Sequence, residues 1–315
     1  MLPRTPDVPA AIPGNRVLSP PRRSSSDRPR AGLARDLFIL LRPGQWPKNL
    51  VILLALLDPA VMNSALLDWR TAGRLAVAVL AFILAAGAVY VLNDIADRER
   101  DRISPAKRHR PVAAGRVTPR TAALVGVLLL VVLAVIVGDA LTIWWPLLVY
   151  LPLNIAYSFA LKHVPLVDLF VIAAGFVLRL VQGYVTVGAG PSAWLVLCVL
   201  SACLLLVLGK RRHELLATGS AHRPSLAGYN QHLVDQLLVL TAAATLVTYL
   251  AYAATVSPTG LLTVPFAMFA LFRYLQVVFV DSGGGNPVAV LLRDRALLVN
   301  AGLWLLLLEG SLLHG

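Results

Sequence analysis

Charge is scarce in this chain and cysteine almost absent. Only 14% of its 315 residues are charged, 16 of them acidic, and there are two cysteines and six histidines. So little charge excludes an ordinary soluble domain, which needs a polar surface around its core. Cys198 and Cys203 lie five residues apart inside one apolar stretch and read as packing residues rather than a disulfide or metal pair. His163, His213, His222 and His232 show no metal-ligand spacing. No zinc motif, phosphate-cradling glycine loop or nucleophile elbow occurs anywhere in the sequence.

What fills the chain instead is hydrocarbon. Hydrophobic residues make up 58% of it and the mean hydropathy is +0.74, the composition of a polytopic membrane protein. Apolar segments run over residues 38–57, 72–95, 120–138, 141–161, 164–186, 192–209, 233–255, 260–280 and 296–313. The expected fold is therefore all-α, a bundle of about nine transmembrane helices.

The net charge of +12 is informative for where it falls. With the amino terminus in the cytoplasm, the connections at 95–119, 161–164, 209–233 and 280–295 share that side and carry nearly all the Lys and Arg outside the tail. The opposite connections offer Arg70 and little else, so the positive-inside rule predicts a multi-pass protein of the plasma membrane with a cytoplasmic amino terminus. Topology accounts for the excess charge, and no nucleic acid partner is expected. Residues 1–35 contain seven Pro and seven Arg against two Asp. They read as a disordered basic tail ahead of a single membrane domain at 36–315.

Residues 93–115, NDIADRERDRISPAKRHRPVAAG, concentrate four carboxylates and a Lys/Arg cluster at the end of an apolar helix. Asn93, Asp97 and Asp101 are spaced i, i+4, i+8, with Asp94 three residues before Asp97, so a continuous helix puts all four within one arc of about 100°. Acids at a helix C-terminus oppose the macrodipole and call for a cation. Arg98, Arg100 and Arg102 can supply it along a solvated face. The alternative is a metal ion, with Asn93, Asp94, Asp97 and Asp101 as ligands. Lys107, Arg108 and Arg110 follow, cations suited to phosphate oxygens or simply to the inner membrane surface.

The other connections on the same side are also polar. RPGQWPKN at 42–49 sets Arg42, Gln45 and Lys48 around Trp46, as an anion site or an interfacial anchor. YSFALKH at 157–163 contributes Tyr157 and Lys162, and GKRRHEL at 209–215 contributes Lys210. Asp168 and Arg179 are ionisable groups inside an apolar helix, either functional or paired with each other. Asp168 is a further metal-ligand candidate. It is the one acidic residue of that apolar stretch. The glycines at 283–285 form a lid or a turn.

NDIADRERD is similar to the NDxxDxxxD motif of UbiA-type intramembrane prenyltransferases, and the resemblance extends over residues 37–313. RPGQWPKN, the 93–115 block, YSFALKH, GKRRHEL and the RDR before the last helix resemble the branch of that family that transfers phosphoribosyl groups. This resemblance implies a transferase using Mg²⁺, with phosphoribosyl pyrophosphate as donor and a polyprenyl phosphate, decaprenyl in type, as acceptor. The product would feed arabinan precursor synthesis for a cell envelope. In this reading Asp94, Asp97 and Asp101 carry the catalytic metal. Lys107, Arg108, Arg110, Lys162, Tyr157, Arg179 and Lys210 meet the donor phosphates, and Arg42, Gln45 and Lys48 hold the acceptor phosphate. The same acidic stripe also serves transfer of an isoprenoid from its diphosphate to an aromatic acceptor. A lipid carrier or transporter is a third class, disfavoured by the absence of an internal repeat. Whether the chain forms a homo-oligomer is left open.

Overall fold

The computed structural model describes residues 30–313 except 63–67, 106, 219–223, 257 and 282. The tail expected at 1–35 lies outside the described residues up to position 29, as does His222, whereas Arg30–Leu40 is helical and opens the fold as α1.

Every described element is helical, and each of the nine apolar stretches is built around a helix. After α1 comes a 3₁₀ helix, Pro43–Leu57, then α2 (Pro59–Met62), α3 (Trp69–Ala96), α4 (Arg98–Ile103), α5 (Pro119–Val137) and α6 (Leu141–Phe159). A second set follows with α7 (Val167–Thr186), α8 (Ala193–Thr218), α9 (Gln231–Val256), α10 (Val264–Phe279), α11 (Pro287–Arg293) and α12 (Arg295–Leu313). Six of the described helical stretches are individually long and apolar enough to cross a membrane. The outer face of α5 shows why: Leu124, Val127, Leu128, Val131 and Val135 are all exposed, a stripe that only lipid can cover. The chain is a multi-pass membrane protein.

The first apolar segment departs from an ordinary span. Its 15 residues wind as a 3₁₀ helix, whose rise of about 2.0 Å per residue still gives about 30 Å, enough for the hydrocarbon layer. Pro43 and Pro47 cannot donate α-type hydrogen bonds. The slender helix lies against α7 at backbone contact, because a Cβ on Gly183 would sit 2.0 Å from the Ile52 carbonyl oxygen. Phe82, Leu147, Leu180 and Tyr184 complete that half of the core. The other half packs α7, α8, α9 and α10 around Leu205, Leu208, Leu238 and Val278.

A third, small apolar cluster determines where the polar end folds. Val112 and Val117 are buried against Leu40, Val91 and Ala122, pulling the 111–117 turn back over the end of α3. Pro111 accepts from the Arg116 and Val117 amides, and Gly115 takes the positive φ that closes the turn. Arg102 Nε adds a bond to the Ala113 carbonyl at 3.2 Å. The cationic run before this turn is thereby laid across the acidic stripe.

Candidate active site

The acidic stripe survives as nearly one helix with a seam at Asp97. α3 ends at Ala96 and α4 begins at Arg98, yet the Asp97 amide donates to the Asn93 carbonyl and the Asp101 amide to Asp97, both at 2.8 Å. Asp94 and Asp101, two turns apart, therefore stay on one side. Arg110 joins them, its Nη1 lying 3.1 Å from Asp94 and 2.6 Å from Asp101. Asp97 turns to another partner, Lys162, at 2.9 Å.

Arg42 closes the group from the first segment. It adopts a left-handed conformation (φ 49°) directly before Pro43, making an elbow between α1 and the 3₁₀ helix. Phe38 packs edge-on against Trp46 at 5.7 Å, and the Trp46 indole donates to the Leu41 carbonyl, which holds the elbow. The Arg42 guanidinium lies over the Tyr90 ring at 4.6 Å and pairs with Asp94. Lys107 stands 3.9 Å from Asp101 with half its side chain in solvent, and Arg108 is exposed beside His109. Gln45 and Lys48 are half-buried one and two turns inward, Lys48 within electrostatic reach of Lys210, Arg179 and Arg42. Lys210 is exposed and 3.7 Å from Glu214, and Tyr157 is half-buried within reach of Arg211. Asn93 is half-buried and contributes its carbonyl to the helix seam.

Two expected members belong elsewhere. Arg179 is buried, donating to Asn49 at 2.7 Å, the Gly175 carbonyl at 2.8 Å and the Tyr150 hydroxyl at 3.0 Å. Its charge is spread over the faces of Tyr150, Phe82 and Phe176, so it braces the bundle rather than opening to a phosphate. Nor does it pair with Asp168, since eleven helical residues separate the two by about 16 Å. Asp168 is fully enclosed, its carboxylate 3.0 Å from Arg211, itself only 1% exposed. Tyr229 donates to the same carboxylate at 2.9 Å and Ser225 at 3.4 Å. Burial pushes the Tyr229 phenol up to about 12, so it keeps its proton and remains a donor. Asp168 is therefore an anchor for Arg211, with Tyr229 and Ser225 on the same carboxylate.

The described residues hold no group of three or more His, Cys, Asp or Glu side chains disposed around one ion. The stripe expected to form one metal cluster is instead neutralised carboxylate by carboxylate. This follows from the fold-back of 111–117, which delivers Arg110 between Asp94 and Asp101. Glycines 283–285 form a packed turn, since a Cβ on Gly285 would meet the His213 ring at 2.6 Å and one on Gly284 the Gly209 carbonyl at 3.0 Å. Arg212 ties that region together through Asp235 at 2.7 Å and the Val278 carbonyl at 2.9 Å.

The spacing of the sequence did not disclose Arg211, Ser225, Tyr229 or the Asn49–Arg179 pair as partners. A lone buried carboxylate inside an apolar helix required a cation from somewhere, and GKRRHEL was the one basic run facing it from a neighbouring helix end.

Residues 50–292 match the UbiA prenyltransferase family. The chain is 32% identical over 309 residues to a decaprenyl-phosphate phosphoribosyltransferase of Corynebacterium glutamicum, covering 93% of this chain and 89% of that protein. It is 34% identical over 300 residues to the protein of the same name from Mycobacterium tuberculosis, covering 91% and 98%. Its fold superposes on a UbiA homologue from Archaeoglobus fulgidus bound to GPP and Mg²⁺ with a TM-score of 0.65 at 16% identity, over 88% of this chain and 99% of that one. The chain belongs to the UbiA prenyltransferase family.

Proposed function

We propose that this protein transfers the 5-phosphoribosyl group of phosphoribosyl pyrophosphate to a polyprenyl phosphate, releasing pyrophosphate. The observation that carries the reading is the composition of the site: three carboxylates surrounded by Arg42, Lys107, Arg110 and Lys162, with Arg108, Lys48 and Lys210 beyond them. That is more cationic capacity than a prenyl diphosphate needs, and it suits two phosphorylated substrates meeting at one end of a lipid-facing bundle. The two relatives named decaprenyl-phosphate phosphoribosyltransferase, aligned over more than nine-tenths of this chain, support transfer of a phosphoribosyl group to a polyprenyl phosphate.

The site fits Mg²⁺ by donor chemistry. Asp94 and Asp101 are hard oxygen ligands held side by side on one guanidinium, and Mg²⁺ typically takes one or two carboxylates, with substrate phosphate oxygens and water completing the shell. Asp94 and Asp101 would hold it, with Asp97 and Asn93 adjacent on the same stripe. When bound it neutralises the charge that develops on the departing diphosphate.

The remaining work falls to this chain's own side chains. Arg110, between Asp94 and Asp101, is placed to grip a diphosphate oxygen, and Lys107 and Arg108 meet it from the solvent side. Lys162 steadies the same group from the α6–α7 connection. Arg42, Gln45 and Lys48 line the elbow at which an acceptor phosphate would sit with its isoprenoid in the bilayer. The nucleophile is a phosphate monoester oxygen, whose second pKa of about 6 leaves it ionised at neutral pH, so no strong general base is required. Attack opposite the diphosphate inverts the anomeric centre, and retention of configuration in the product by NMR would exclude this geometry. The basic connections support a plasma-membrane protein whose amino terminus and active site face the cytoplasm.

The deciding experiment gives the purified protein Mg²⁺ with either phosphoribosyl pyrophosphate and polyprenyl phosphate, or polyprenyl diphosphate and an aromatic acceptor. Turnover of the first pair alone is expected, and turnover of the second pair alone would overturn the assignment.

A further inference from the structure

The connection between α6 and α7 has a strained backbone at Leu166. Its φ of 64° and ψ of −48°, with the Val167 amide donating to the Pro165 carbonyl at 2.8 Å, make a γ-turn of the rare positive-φ kind. A leucine there carries a steric cost that glycine would not. The turn closes on its own Val167–Pro165 bond and runs directly into α7 through the Leu169 amide on the Leu166 carbonyl at 2.9 Å, and a side chain from far along the chain adds to these. It comes from 63 residues away: the Tyr229 hydroxyl accepts from the Leu166 amide at 2.6 Å and donates to Asp168 at 2.9 Å.

The segment that presents Tyr229 is built onto this turn. Ser225 and Leu226 are buried, Ser225 reaches the second Asp168 oxygen, and a Cβ on Gly228 would lie 2.4 Å from the Pro165 ring. Asp168 is in turn anchored by Arg211 on α8. On the other side of the turn, four residues before Leu166, Lys162 extends to Asp97. The chain reversal at 163–167 sets the height from which that ammonium reaches the acidic stripe. If Leu166 relaxes to an ordinary conformation, the direction of the chain at Lys162 changes with it.

We infer that Tyr229, with Asp168, is a positioning residue that holds the Leu166 γ-turn and thereby aims Lys162 at the diphosphate of the donor. The inference rests on the proposed reaction for its readout, and the phenol, the strained turn and the lysine form one mechanical chain. Lys162 touches substrate in this scheme, whereas Tyr229 and Asp168 do not.

The test uses full-length protein in lipid nanodiscs with Mg²⁺, phosphoribosyl pyrophosphate and polyprenyl phosphate. Tyr229→Phe should raise the donor KM about tenfold, as loss of the hydroxyl's bonds to the Leu166 amide and Asp168 predicts, with kcat and acceptor KM within about threefold of wild type. Lys162→Ala should do the same, and adding Tyr229→Phe to it should cost nothing more. The discriminating variant is Leu166→Gly, because glycine takes the positive φ unaided: in the Tyr229→Phe background it should return the donor KM to near wild type. A Tyr229→Phe protein that matches wild type, additivity with Lys162→Ala, or no rescue by Leu166→Gly would each overturn the inference. Should Tyr229→Phe not fold, Leu166→Val decides, since a β-branched residue tolerates the turn still less and must raise the donor KM. If wild type turns over only a prenyl diphosphate donor, the reaction assignment fails and not the latch. The same variants then report on that diphosphate.

Discussion

Two clusters of opposite charge stand at the polar end of the bundle, and they differ in what encloses them. Around Asp94 and Asp101 the carboxylates are shielded while the cations remain reachable: the Lys107 side chain is 52% exposed and that of Arg110 is 28% exposed. Around Asp168 both partners are sealed, with Arg211 at 1% and the aspartate at 0%. The open cluster can exchange partners, its cations turning to phosphate and its carboxylates to a metal. A sealed pair cannot exchange without leaving a charge stranded in low dielectric. Acidic residues in one family domain thus divide into a solvent-reachable group and an enclosed group by the exposure of their counter-ions.

That contrast can be broken in three ways. Asp97→Ala should remove turnover by about three orders of magnitude while the protein still extracts and elutes as a folded species, because the lost group acts on charge in the transition state. Mg²⁺-dependent assays with size-exclusion chromatography check it, and full activity would take Asp97 out of the site. Arg211→Met should do the reverse, destabilising the fold by about 3 kcal/mol or more in thermal unfolding, with most of the loss recovered by adding Asp168→Leu. If Arg211→Met were as stable as wild type, the framework reading of that cluster would be lost. Lys107→Ala sharpens the comparison from the open side. Its apparent donor KM should rise by about three- to tenfold with no change in melting temperature, since a half-exposed charge contributes little to stability.

The smallest effect is a pH dependence far from both clusters. Arg273 forks onto Asp294 at 2.8 and 3.0 Å and the Leu297 amide caps it, which holds the Asp294 carboxyl below its ordinary value of 3.8. A depressed carboxylate stabilises the fold above its unfolded pKa and loses that contribution as pH falls through the lower folded value. Wild type should therefore exceed Asp294→Asn in melting temperature near pH 6, and the gap should close in acid. A gap constant down to pH 3 would show that the carboxylate's charge is not what the junction uses.

Much of this arrangement was legible in the chain. The nine apolar segments located every major helix because lipid demands long runs of hydrocarbon. The convergence of Arg42, Asp94, Asp97, Asp101, Arg110 and Lys162 was readable because topology alone delivers every second connection to one side. Individual pairings were not. Helical spacing put Asp168 and Arg179 on one face, where they are too far apart to meet. It also put the three carboxylates in one arc, where a turn from further along the chain inserts a guanidinium.

The sequence by itself determined the multi-pass membrane fold and the gathering of charged connections, since both depend on hydropathy and charge summed over many residues. Only the tertiary structure decided which cation faces which acid, that the first segment winds as a 3₁₀ helix against Gly183, and that Tyr229 bears on the turn at Leu166. Those depend on contacts a few ångströms long between residues tens of positions apart, and no periodicity along the chain encodes such distances.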